Sequence, residues 1–138
     1  MTKPIIICIV DDDDVYKYTV TKSIEKNKLA KKVLIFSDGE EAINFMIDNV
    51  ANSNHLPDII FLDINMPIMD GFQFMDEYVK LKPFVGKKII IYMVTSSIDD
   101  ADIERAKKIS DISDYIVKPI KVEQLTEIIE TLEKEGKL

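Results

Sequence analysis

Five short apolar runs punctuate the chain: Ile5 to Val10, Lys32 to Phe36, Asp58 to Leu62, Lys88 to Val94 and Asp114 to Val117. Most are unbroken stretches of Ile, Val, Leu and Phe without polar alternation, the pattern of strands buried on both faces of a parallel sheet. Between them the period changes. Ala42, Phe45, Met46 and Val50 fall at i, i+3, i+4 and i+8, and Leu125, Ile128, Ile129 and Leu132 at i, i+3, i+4 and i+7. Each set predicts an amphipathic helix. Gly71, Phe74, Met75 and Tyr78 make a third stripe, and weaker ones run from Val15 to about Lys26 and from Asp100 to about Ile109.

A strand followed by a helix, repeated five times, predicts an α/β fold with a doubly wound five-stranded parallel sheet. Right-handed crossovers make the flavodoxin-like strand order 2-1-3-4-5 the expected solution. The 138 residues suit one domain, large enough to bury roughly two-thirds of its unfolded surface. No repeat, low-complexity stretch or Pro/Gly-rich linker divides it, so one domain over 1–138, with a core from about 5 to 132, is expected. Residues 51–57 and 82–87 read as ordinary loops, and 134–138 as a frayed tail.

Composition narrows the function. Hydrophobic residues make up 46% and charged residues 31%, which suits a soluble globule. The net charge of −7 argues against direct nucleic-acid binding, which needs clustered Lys and Arg. The apolar runs fall far short of the roughly 20 residues of a membrane span, and residues 1–10 lack the features of a signal peptide. The cytoplasm is the expected location. Cys8, the single cysteine, sits in an apolar run and reads as a buried structural thiol.

In an open parallel sheet, ligands bind beyond the carboxyl ends of the strands. There the sequence places Asp11, Asp12, Asp13 and Asp14 after the first run, Asp63 after the third, Thr95 after the fourth and Lys118 after the fifth. Each has a plainer reading: an Asp can cap the next helix, with Asp13 or Asp14 the candidates, and Thr95 or Ser96 can do the same. Capping uses one side chain, whereas adjacent acids at a strand end suit a hard cation. Carboxylates within a few ångströms stay ionised together only if a cation compensates, and oxygen ligands at an open crevice favour Mg²⁺. Lys118 and Thr95 would add an ammonium and a hydroxyl donor for a phosphoryl group, with Asp63, central in the sheet, as nucleophile.

The stretches Val10-Asp11-Asp12, Leu62 to Gly71 (LDINMPIMDG), Val94-Thr95-Ser96 and Tyr115-Ile116-Val117-Lys118-Pro119 together resemble the motif set of response-regulator receiver domains of two-component signalling, including the chemotaxis regulators. The resemblance runs from Ile5 to about Leu132. It implies that Asp63 is the phosphoacceptor, that Asp12 ligates Mg²⁺ directly, with Mn²⁺ able to substitute, and that Asp11 acts mainly through a bound water. The backbone carbonyl of Asn65 would complete the protein ligands. Thr95 and Lys118 would engage the phosphoryl oxygens, and Tyr115 would be the aromatic coupled to the Thr95 shift. Pro67 and Gly71 would shape the loop into the third helix, and Ser96 would keep the site uncrowded. Asn65 and Ser97 would tune the lifetime of the phosphorylated state, their small polar side chains favouring quick hydrolysis. A cis peptide is expected between Lys118 and Pro119.

The resemblance further implies a phospho-accepting switch rather than an enzyme with a separate substrate. A sensor histidine kinase or phosphotransfer protein would supply the phosphoryl group. The fourth helix, fifth strand and fifth helix would present the output surface to a protein partner, and with no module expected after Leu132 the receiver would stand alone. Three alternatives fit less well. A haloacid-dehalogenase-like phosphatase needs a second carboxylate where Asn65 stands. A phosphorylation-independent pseudo-receiver should have lost one of Asp12, Asp63, Thr95 or Lys118. A flavodoxin-like cofactor carrier needs Gly or hydroxyl residues where Asp follows Val10. His55, in a polar segment beside Asn54 and Pro57, reads as a solvated residue rather than a phosphodonor.

Overall fold

A computed structural model describes residues 2–96 and 99–138. Strands β1 (Ile6–Val10), β2 (Lys32–Phe36), β3 (Ile59–Leu62), β4 (Ile90–Thr95) and β5 (Ile112–Val117) alternate with helices α1 (Asp14–Lys26), α2 (Gly39–Asp48), α3 (Gly71–Leu81), α4 (Asp100–Lys107) and α5 (Val122–Lys134). All pairings are parallel and the sheet order is β2-β1-β3-β4-β5, as the pattern predicts.

The unbroken apolar runs are explained by burial on both faces. In β1, Ile6, Cys8 and Val10 pack with Ala42, Met46, Phe74 and Met75 of α2 and α3. The alternate residues Ile7 and Ile9 pack with Val20 and Ile24 of α1 and Leu125 and Ile129 of α5. Cys8 is buried, as expected, and its burial pushes the thiol pKa up, which leaves it unreactive. The outer strands β2 and β5 alternate with exposed residues instead, because each has a neighbour on one side only.

Helix starts follow local capping. Asp13, Asp38, Asp70 and Asp99 each accept a backbone N–H of the following first turn, satisfying donors that have no intrahelical partner. Thr95 therefore does not cap α4. It ends β4, and Asp99 is the cap.

Three expectations need correction. The segments 51–57 and 82–87 each contain one turn of 3₁₀ helix, Ser53–His55 and Lys82–Phe84. His55, at the end of the first of these turns, is exposed as expected, its Nδ1 3.2 Å from the Asn52 side-chain nitrogen. The 134–138 segment is not simply frayed: Gly136, at φ 72, donates to Glu133 O at 3.1 Å, and Lys137 donates to Leu132 O at 2.9 Å. That pair of bonds is a Schellman ending, which needs the left-handed conformation glycine tolerates. Among the described residues no helix is long and apolar enough to cross a membrane.

Candidate functional site

Strand register assembles the site. The Asp63 amide donates to Val10 O at 2.9 Å, continuing the β1–β3 ladder, and the Asp11 amide donates to Phe36 O at 3.0 Å. On the far side, Lys118 follows Val117, the partner of Thr95, and its amide donates to Thr95 O at 2.9 Å. Four strand ends thus bring Asp11, Asp63, Thr95 and Lys118 to one edge. The Lys118–Pro119 peptide is cis, as the resemblance implies.

Asp11, Asp12 and Asp63 each offer a carboxylate oxygen within 4.8 Å of the others. Asp11 and Asp63 are buried and Asp12 is exposed, so the cluster opens to solvent on one side. Lys118 Nζ lies 2.5 Å from Asp11 Oδ2 and 3.3 Å from Asp63 Oδ2. The second oxygens are held from the backbone: Asp13 N–H donates to Asp11 Oδ1 at 2.9 Å and Ile64 N–H to Asp63 Oδ1 at 2.8 Å.

Three carboxylates face one ammonium. Burial, and then the Asp11 charge, raise the Asp63 pKa, and Lys118 offsets only part of this. Burial works against the Lys118 ammonium, but hydrogen bonding and attraction to Asp11 and Asp63 outweigh it and raise its pKa. An all-oxygen donor set with surplus negative charge and an open side is the chemistry of a hard divalent cation that keeps several waters. The residues present fit Mg²⁺ or Mn²⁺.

The loop after Asp63 is held in place from both ends. Gly71 N–H donates to Ile64 O at 2.8 Å, and a Cβ on Gly71 would collide with the carbonyl oxygen of Asp63. Only glycine lets α3 start so near the end of β3. Ahead of it, Met69 N–H donates to Pro67 O at 2.6 Å, which puts exposed Ile68 at φ 67, a conformation costly for a β-branched residue.

Of the remaining expected residues, Thr95 is 1% exposed at the end of β4, Tyr115 lies within β5 against the α4 side of the core, and Asn65 and Ser96 are exposed. Ser97 lies outside the described residues. Sequence reasoning missed Tyr16: its ring centroid lies 4.4 Å from Lys118 Nζ. Burial raises the Tyr16 pKa, and the Asp11 and Asp63 charges add to the shift. No motif flags Tyr16, because an aromatic in the first turn of a helix reads as packing.

Comparison with known proteins agrees with this fold. The sequence profile of the response regulator receiver domain matches residues 7–130. The chain is 22% identical over 131 residues to a probable methanogenesis regulatory protein, FilR2, of Methanothrix harundinacea, covering 95% of this chain and 83% of that protein. It is 30% identical to the sensor histidine kinase CheAY of Helicobacter pylori, covering 90% of this chain but only 14% of the kinase. Among solved structures, a two-component response regulator from Cytophaga hutchinsonii superposes with a TM-score of 0.83 at 25% identity, covering 96% of this chain and 99% of the other. The phosphorylated cyanobacterial phytochrome response regulator RcpA superposes with a TM-score of 0.75 at 25% identity, covering 96% and 93%.

Proposed function

Since the chain belongs to the response regulator receiver domain family, we propose that Asp63 accepts a phosphoryl group from a histidine kinase or phosphotransfer protein, in the cytoplasm, and that the fold acts as one receiver unit. The observation that carries this is the excess negative charge at the site among the described residues: three carboxylates gathered within 4.8 Å against the ammonium of Lys118.

Asp63 Oδ attacks the phosphorus in line with the bond to the donor imidazole. The new O–P bond forms as the P–N bond breaks, and the imidazole leaves with the electron pair. A Mg²⁺ held by Asp11, Asp12, Asp63 and the Asn65 carbonyl would supply neutralisation of the charge on the transferring oxygens. Ile64 N–H orients the attacking carboxylate. Lys118 already bridges Asp11 and Asp63 and turns toward the phosphoryl oxygens. Buried Thr95 offers its hydroxyl to them.

Movement of Thr95 toward the phosphoryl group draws on β4, with Tyr115 responding, and alters the surface of α4, β5 and α5 that a protein partner reads. Water then attacks the phosphorus, the O–P bond breaks, and the Asp63 carboxylate returns. By the resemblance, the small polar residues Asn65 and Ser97 set the lifetime of the phosphorylated state. RcpA, described as phosphorylated, supports the reading by similarity.

The test is labelling with acetyl phosphate or a phosphorylated kinase, followed by intact mass. Labelling is expected only with Mg²⁺ or Mn²⁺ present and is abolished in Asp63→Asn. Undiminished, metal-independent labelling of Asp63→Asn would remove the assignment.

A further inference from the structure

We infer that Tyr16 is a positioning residue of this site: its ring face carries the Lys118 ammonium and keeps it between Asp11 and Asp63. The inference rests on the phosphoacceptor reading given above. Four contacts close a loop. Asp11 Oδ1 accepts Asp13 N–H at 2.9 Å, and Asp13 Oδ1 accepts Tyr16 N–H at 3.0 Å. The Tyr16 ring then lies 4.4 Å from Lys118 Nζ, which returns to Asp11 Oδ2 at 2.5 Å. The cap that starts α1 therefore also fixes where the ring stands, and the ring and the acid hold the ammonium from two sides.

Lys118 needs such a restraint. It follows β5, an edge strand, and its side chain is a flexible stem ending in a strongly hydrated charge. It also sits nearer Asp11 than Asp63, 2.5 Å against 3.3 Å, whereas phosphoryl transfer needs it on the Asp63 side. A carboxylate in place of the ring would compete with the phosphoryl oxygens for the ammonium. An aromatic face attracts a cation over its whole area without a fixed bond direction. Lys118 can thus slide from Asp11 toward Asp63 while remaining out of bulk water. Tyr18, two residues on, is the contrast: its ring is exposed and carries exposed Lys22 at 5.5 Å.

Two readouts test the assignment. In metal-free protein, the side-chain resonances of Lys118 should be shifted upfield by the ring current in wild type and Tyr16→Phe, and should move to ordinary positions in Tyr16→Leu. With acetyl phosphate at saturating Mg²⁺, Tyr16→Leu should slow labelling about tenfold, within the range of a desolvated cation–π contact. Tyr16→Phe should stay within about twofold of wild type, since it keeps the face. Tyr18→Leu should label at the wild-type rate. In a Lys118→Met background, Tyr16→Leu should add no further loss, which a merely structural role could not produce. Equal slowing in both backgrounds, a Tyr16→Phe as slow as Tyr16→Leu, or unshifted Lys118 resonances in wild type would overturn it. Wild-type labelling at Asp63 separates the two readings: if present while Tyr16→Leu labels normally, only the Tyr16 role fails. If labelling at Asp63 is absent, the phosphoacceptor reading fails and takes the inference with it.

Discussion

Asp58 and Asp63 flank the same strand, β3, and their surroundings differ in one respect. At the amino end, Asp58 Oδ2 accepts Ile6 N–H at 2.8 Å, while Oδ1 lies 2.8 Å from Lys87 Nζ, which also donates to Leu56 O at 3.1 Å. One carboxylate meets one ammonium and one amide, so the charge is closed. At the carboxyl end, Asp63 shares Lys118 with Asp11 and has Asp12 within reach as well. Among the described residues, three carboxylates there face one ammonium, an excess of two negative charges. A strand-end aspartate is therefore not reactive by position. What separates a structural acid from a candidate acceptor is whether its neighbours complete its charge or leave room for a cation and a phosphoryl group.

The largest effect should come from opening the closed end. Asp58→Ala leaves Ile6 N–H and Lys87 without their acceptor, and should lower stability by about 1–2 kcal/mol, the side chains being partly exposed. Urea unfolding should show an earlier midpoint at unchanged slope, while Mg²⁺-dependent labelling of Asp63 persists. An unchanged midpoint would mean that water replaces both contacts and that the amino end is no more closed than the other.

The difference between these ends was half legible in the sequence. Asp11, Asp12, Asp63, Thr95 and Lys118 could be placed because apolar runs end just before each of them and parallel strands bring those ends together. The fold was legible for the same reason: β2 matches its expected range, and β1 and β3 start one residue late. Asp58 was read only as the start of a run, since its pairing with Lys87 depends on register between distant segments. Tyr16 escaped because its contact crosses from α1 to the end of β5 and follows no spacing rule. The Schellman ending at Gly136 and the 3₁₀ turns rest on backbone bonds over three to five residues, which polar composition alone does not distinguish from loop.

A second prediction tests the sign at the open end. Burial and Asp11 raise the folded-state pKa of Asp63 above the ordinary value of 3.8. Between 3.8 and the raised value, the folded protein binds more protons than the unfolded chain, so this group's contribution falls as pH rises. At neutral pH, ionised Asp63 is thus a net cost to the metal-free protein. Asp63→Asn should melt higher than wild type in chelated neutral buffer, with Lys118 still held by Asp11. The gain should shrink as pH falls through the raised value, where the wild-type carboxyl also takes up its proton. A lower melting temperature for Asp63→Asn at neutral pH would show that Lys118 closes the charge after all.

The smallest effect on stability belongs to Asp12, which shares the cluster but is exposed. Water screens its repulsion with Asp11 and Asp63 better than it screens theirs with each other. Asp12→Ala should therefore raise metal-free stability less than Asp63→Asn does, though in the same direction. No lost cap can mask the sign, because Asp13 is the residue that accepts Tyr16 N–H. Cation binding should respond far more than stability, weakening by at least the roughly tenfold that loss of even an outer-shell partner costs a metal site. Calorimetric Mg²⁺ titration and chelated melting curves on one preparation measure both. If Asp12→Ala binds Mg²⁺ as wild type does and melts markedly lower without it, Asp12 is a structural acid like Asp58, and the open charge at the carboxyl end belongs to Asp11 and Asp63 alone.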